Sequence, residues 1–160
     1  MGKYLLSLLL FAVAACQTVP ADDPVARKIA VLKENGFREV GDEWHLGMSD
    51  RLLFKTDENK LATEQIARLD GLARTLLSIE VRGARVEGNT DSTGTPAYNL
   101  TLSQKRAEAV RDALVAGGMD SAGVVPIGRG MTNPIESNKT AAGRRENRRV
   151  VIIVSSADLR

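Results

Sequence analysis

A single cysteine, a single histidine and an aromatic content of 4% are the scarcities of this 160-residue chain. The lone Cys16 excludes an intramolecular disulfide, so oxidation does not staple the fold. With His45 the only histidine, neither a Cys–His dyad nor a His-rich metal cluster can be assembled, and no metal or other cofactor is expected. Gly128-Arg129-Gly130 lacks the Gly-Lys-Ser/Thr continuation of a phosphate loop, and the carboxylates are scattered, so no residue set asks for an enzyme. A surplus of one charge is missing too. The 22 Lys+Arg against 20 Asp+Glu leave +2, and no aromatics interleave with the arginines, which argues against nucleic acid. Yet 43% of the residues are hydrophobic and 26% charged, too apolar for a disordered chain and too charged for an integral membrane protein. Leu, Val, Ile and Ala must build the core of one domain with short appendages.

The only long apolar run stands at the start. Lys3 precedes Tyr4 to Val13, then come Ala14, Ala15 and Cys16. A positive charge, a short apolar stretch and small residues make a secretory signal. At about 1.5 Å per residue the run has little margin to cross a hydrocarbon layer of about 30 Å. Val13-Ala14-Ala15-Cys16 resembles the lipobox of bacterial lipoproteins, which implies cleavage after residue 15 and lipidation of Cys16. Gln17 is then the outer-membrane type of sorting residue. The anchor would hold the chain to the outer membrane, facing the periplasm, with each buried methylene contributing about 0.8 kcal/mol.

Residues 16–23 read as the lipidated tether. Asp23-Pro24 predicts an N-cap and first helical position, with Val25, Ile29 and Leu32 at helical spacing until Gly36. Alternation on either side of Gly41-Asp42 predicts a hairpin, in which Trp44 and Leu46 share one face and Glu43 and His45 the other. Residues 51–54 are expected as a buried strand. Ile66, Leu69, Leu72, Ala73, Leu76 and Leu77 fall on one helical face. A strand is expected at 81–86 and a long helix at 97–115, ended by Gly117-Gly118. Pro126 marks 124–127 as an edge strand, 140–146 as a short helix follows, and 149–154 is the strongest strand signal. Alternating strands and helices predict an α/β (α+β) sandwich, a sheet with helices on one face.

Two segments carry a family resemblance. Gly88-Asn89-Thr90-Asp91-Ser92-Thr93-Gly94 with Tyr98-Asn99 and Leu102 to Ala107, and the closing Gly143 to Val150, resemble the peptidoglycan-binding signature of OmpA-like domains. The resemblance implies a βαβαβαβ domain with a mixed sheet, here 49–160, preceded by a helix and hairpin at 24–48. It also implies that Asp91 and Arg106 bind the diaminopimelate of peptidoglycan, with Thr93 and Gly94 shaping the loop and Arg148 and Asp57 contributing. A free amino-acid centre carries an ammonium and a carboxylate, and an aspartate with a guanidinium fork suits that pair. Taken singly, Asp91 reads as an Asx-turn residue and Arg106 as a solvated helix charge.

Asn35-Gly36-Phe37, Trp44 to Phe54 and Ser137 to Thr140 are similar to YfiB-type lipoproteins within that family. That likeness implies capture of a periplasmic YfiR-type repressor, relief of a YfiN-type diguanylate cyclase, and a rise in cyclic di-GMP that favours biofilm. Trp44 and Leu46 are then expected as the partner-binding face, since Trp is enriched at interfaces. The alternative is a structural, Pal-like tether between outer membrane and wall. The sequence leaves a homodimer open.

Overall fold

The computed structural model describes residues 23–54 and 60–160. Cys16, the tether to residue 22 and Asp57 lie outside the described residues. In chain order the elements are α1 (Pro24–Glu34), β1 (Arg38–Val40), β2 (Glu43–Ser49), α2 (Asp50–Leu53), α3 (Thr63–Ser78), β3 (Ala84–Asn89), α4 (Pro96–Ala116), β4 (Val124–Gly128), α5 (Ala141–Asn147) and β5 (Arg149–Ser155), closed by a 3₁₀ turn at Ser156–Leu159. From β2 onward strands and helices alternate as in the expected βαβαβαβ domain, except that α2 and α3 both lie between β2 and β3 and that β2, expected in the preceding hairpin, supplies the first strand.

The five strands form one mixed sheet in the order β1-β2-β5-β3-β4. β5 lies at its centre, antiparallel to both β2 and β3, and β4 runs parallel to β3 at the edge, where Pro126 is tolerated. On β5, Val150, Ile152 and Val154 point to one face and pack with Leu32 of α1, Leu69, Ala73 and Leu76 of α3, and Ala107, Val110 and Leu114 of α4. The three helices therefore share one core with one side of the sheet, as the period-2 and period-3.6 patterns require. Asp23 caps α1 by accepting from the Val25 and Ala26 amides, and Thr95 caps α4 by accepting from Tyr98, each followed by a proline.

Four expectations are corrected. Residues 51–54 are not a strand. Asp50 extends the β2–β5 ladder by one bond, its amide donating to the Arg148 carbonyl, and the chain then turns into the single helical turn α2, with the Phe54 amide donating to the Asp50 carbonyl. A four-residue apolar run has no period to tell these apart. The strand expected at 81–86 lies at Ala84–Asn89, because pairing begins where β4 supplies Val124 opposite Ala84. Ile66 is 44% exposed and stands outside the core face of α3.

The fourth concerns Trp44 and Leu46. They do share a face, but it is the inner one. Trp44 pairs with Val154 and Leu46 with Ile152 on the core side of β5, Trp44 is 1% exposed, and Leu46 packs against the core. An aromatic anchor needs a solvent-facing side chain, so this pair is no partner-binding face in this structure. Glu43 and His45 face outward instead. Because β2 is paired along its length with β5, the boundary at 48/49 separates sequence features, while the sheet and core run across it.

Candidate functional site

Where β3 ends, the chain leaves the sheet through Thr90 and Asp91, both buried. Thr90 donates its amide to the Gly130 carbonyl at 2.8 Å, tying the exit of β3 to the exit of β4. Asp91 Oδ1 then accepts the Thr93 amide at 2.7 Å, an Asx turn that bends the loop back. Gly94 completes the bend with φ +89°, a left-handed conformation that favours glycine. Asn99 Nδ2 donates to the Thr93 carbonyl at 2.8 Å, so the loop is held from α4.

The helix brings its own residues to the same place. Asn99, Leu102 and Arg106 recur at i, i+3 and i+7 on one side of α4. Close approach of α4 to β3 is what lets Arg106 reach that far inward. Ser103 is fully buried against Gly88, where a methyl group would overlap the Ser103 carbonyl. Ser103 Oγ accepts the Gly130 amide at 2.9 Å, and Gln104 Oε1 accepts the Gly128 amide at 2.6 Å, which clamps helix to sheet.

From the C-terminal side, Asn147 is fully buried and staples the preceding loop. Its Oδ1 accepts the Ile135 and Glu136 amides, and its Nδ2 donates to the Glu136 carbonyl and to Asn138 Oδ1. Asn138 Oδ1 also accepts the Ser92 amide at 3.2 Å, joining the two signature segments. Arg148, just after α5, is thereby aimed at Asp91.

These residues border a half-open cavity of about 880 Å³, lined among the described residues by four arginines (Arg51, Arg106, Arg144, Arg148), Asp50, Asp91 and the apolar or neutral side chains of Phe54, Tyr98 and Leu102. Arg148 Nη1 donates to Asp91 Oδ2 at 2.6 Å, and Arg148 Nε lies 3.2 Å from Asp50 Oδ2. Arg106 Nη1 donates to the same Asp50 oxygen at 3.3 Å, and its guanidinium sits over the Phe54 ring at 5.2 Å. Burial alone would raise the Asp91 carboxyl. The Thr93 amide and the Arg148 guanidinium outweigh it and hold the carboxyl below the usual carboxylate range. Asp91 is therefore an anion at neutral pH. The cavity offers fixed carboxylates and guanidinium forks side by side, the arrangement that suits a small zwitterion. Among the described residues no group of three His, Cys, Asp or Glu side chains is placed to hold a metal ion.

Of the residues singled out from the sequence, Asp91, Arg106, Thr93 and Arg148 meet at this cavity, and Gly94 shapes its loop. Asp57 lies outside the described residues. Asp50 and Arg144 line the cavity and were not expected there. Nothing local marks Asp50, because its role depends on two arginines far away in the chain.

A family model described as the OmpA family matches residues 53–148. Outer-membrane lipoprotein YfiB of Pseudomonas aeruginosa is 42% identical over 155 residues, covering 94% of this chain and 92% of that one. Putative lipoprotein YfiB of Escherichia coli strain K12 is 37% identical over 160 residues, covering 98% of this chain and 99% of that one. Among solved structures, the cell wall anchor of the type VI secretion system from P. aeruginosa superposes with a TM-score of 0.68 at 29% identity, covering 82% of this chain and 96% of that one. With its signature loop, its closing arginine and its sheet order in place, the chain belongs to the OmpA family and is similar over nearly its whole length to outer-membrane lipoproteins of the YfiB type.

Proposed function

We propose that this chain is a lipid-anchored outer-membrane protein whose cavity binds peptidoglycan through the free amino-acid centre of diaminopimelate. It is a binding protein and not an enzyme, as its family membership indicates. The observation that carries the reading is the convergence of Asp91, Arg106 and Arg148 on one cavity, with Asp91 held anionic. The ligand carboxylate is taken by the guanidinium forks, and its ammonium by the acidic side. Relatives described as peptidoglycan-binding support the ligand class.

The test is sedimentation of the purified chain with isolated peptidoglycan. A charge-assisted hydrogen bond contributes about 1.5–3 kcal/mol, so Asp91→Ala or Arg106→Ala is expected to weaken binding roughly ten- to hundredfold with an unchanged circular dichroism spectrum. Wild-type-like sedimentation by both variants removes these residues from the site.

Beyond wall binding, we infer a signalling role from the likeness to YfiB-type lipoproteins: capture of a periplasmic YfiR-type repressor, release of a YfiN-type diguanylate cyclase, and a rise in cyclic di-GMP. The likeness extends through α1 and the β1–β2 hairpin, outside the wall-binding signature. One observation favours the plainer, Pal-like tether. Trp44 and Leu46, which set the adaptor apart from an anchor, belong to the core. Co-purification from periplasmic extract separates the two readings: a YfiR-type partner identified by mass spectrometry supports the adaptor, and wall fragments alone support the tether.

A further inference from the structure

We propose that Arg51 and Arg144 form a second anion-binding locus in the cavity wall, which takes the free α-carboxylate of the glutamate next to diaminopimelate in the peptidoglycan stem peptide. The inference rests on the peptidoglycan reading of the cavity and concerns two lining arginines that this reading leaves without a role.

The charge of the lining is not balanced. Asp91 is paired with Arg148 at 2.6 Å, and Asp50 with Arg106 at 3.3 Å. Two carboxylates thus offset two guanidinium groups, and among the described residues Arg51 and Arg144 make no ion pair. The two differ in how they are held. Arg144 is half-buried, with Nη1 donating to the Asn138 carbonyl at 2.8 Å, and Asn138 is itself fixed by Asn147 Nδ2 at 2.9 Å. Arg51, in α2, is exposed, as is Tyr98 of the same lining, so these two stand at the mouth of the cavity and not in its depth.

The ligand's chemistry follows from that surplus. A free amino-acid centre carries one ammonium and one carboxylate, so its binding adds no net charge and leaves Arg51 and Arg144 uncompensated. A cleft lined by an excess of one sign gathers ligands of the other, and a guanidinium fork matches a carboxylate. The cavity of about 880 Å³ is also in the range that holds a drug-sized ligand, more than an amino-acid centre fills. In the stem peptide, glutamate is joined to diaminopimelate through its γ-carboxyl and keeps its α-carboxylate. That anionic group lies one residue from the centre the cavity takes. Amidation removes its charge at nearly constant size. Arg51 and Arg144 therefore distinguish a stem peptide with free glutamate from an amidated one, which recognition of the amino-acid centre alone does not.

Calorimetry on the full chain in detergent tests this with two probes, N-acetyl-L-alanyl-γ-D-glutamyl-meso-diaminopimelate and the same peptide with the glutamate α-carboxyl amidated. Because Arg51 is open to solvent, the wild type is expected to prefer the free acid by about fivefold, and the preference is expected to shrink as salt screens it. Arg51→Gln combined with Arg144→Gln is expected to erase the preference. Arg82→Gln, which removes a charge just before β3 at the end away from the cavity, is expected to keep it. A preference kept by the double variant overturns the inference, as does one lost equally in Arg82→Gln or a wild type that binds both probes alike. In each of these cases the peptidoglycan reading stands. A wild type that binds neither probe nor isolated peptidoglycan overturns both. Should the double variant fail to fold, Arg51→Gln alone decides, because Arg51 is exposed and makes no hydrogen bond among the described residues. The preference is then expected to narrow, and an unchanged one overturns the assignment.

Discussion

Arg148 donates from Nη1 to Asp91 Oδ2 at 2.6 Å across 57 positions of sequence. The same guanidinium reaches Asp50 with Nε at 3.2 Å, so one side chain ties the exit of β3, the end of β2 and the start of β5. Asp91 and Asp50 are both largely buried, and Arg148 is partly open to the cavity.

Removing that tie has a definite consequence. Arg148→Gln leaves two buried carboxylates facing one another across a smaller positive charge. It is expected to cost about 1–3 kcal/mol in urea denaturation, and to weaken sedimentation with peptidoglycan. Arg148→Lys is expected to restore part of the stability and little of the binding, because a single ammonium cannot span two carboxylates as the fork does. Equal recovery of both by lysine would show that charge alone suffices.

Trp44 makes a contrasting case. Its ring is buried between the sheet and the helices, with Lys33 Nζ 5.7 Å from the ring centroid. Trp44→Ala is expected to destabilise the fold by about 3–5 kcal/mol, read as a lowered urea midpoint. A melting temperature within a few degrees of wild type would place the ring outside the core.

Acid should unfold the protein through identifiable groups. On the outer face of the sheet, a hydrogen bond from His45 lowers the Glu43 carboxyl, burial opposes this, and Arg85 adds to the lowering. Burial raises the Glu87 carboxyl, but Arg129 and Arg85 outweigh it, and Asp91 is lowered likewise at the cavity. Carboxyls depressed in the folded state contribute stability that is present above their unfolded values, near pH 4. That contribution is lost as pH falls through the folded values. The urea midpoint is therefore expected to hold between about pH 7 and 5 and to drop below about pH 4. Glu87→Gln should flatten that acid limb, and an unchanged limb would exclude Glu87 as a contributor.

Lipidation is tested separately from folding. Cys16→Ser is expected to abolish palmitate labelling and to leave a slower-migrating precursor or a chain released from the outer membrane. Labelling that persists in this variant would overturn the lipobox reading.

The sequence by itself determined the elements wherever a period repeats, and which of their residues share a face, Ile66 of α3 excepted. Leu69, Ala73 and Leu76 mark the inner side of α3, Val110 and Leu114 that of α4, and the Gly41-Asp42 turn sets Trp44 and Leu46 on one side of β2. It also put Asp91 and Arg106 in one signature. Periodicity, however, says which residues share a face and not which way the face points. Only pairing with β5, whose Ile152 and Val154 lie on the core side, turned Trp44 inward. The segment after Ser49 was too short to carry a period, so the ladder bond from Asp50 to Arg148 decided its course. The ion-pair net was invisible for a related reason. Asp50 meets Arg106 across 56 positions and Asp91 meets Arg148 across 57, and neither spacing encodes anything local. Those contacts exist because the sheet order sets β5 between β2 and β3, which brings the ends of all three strands to one cavity.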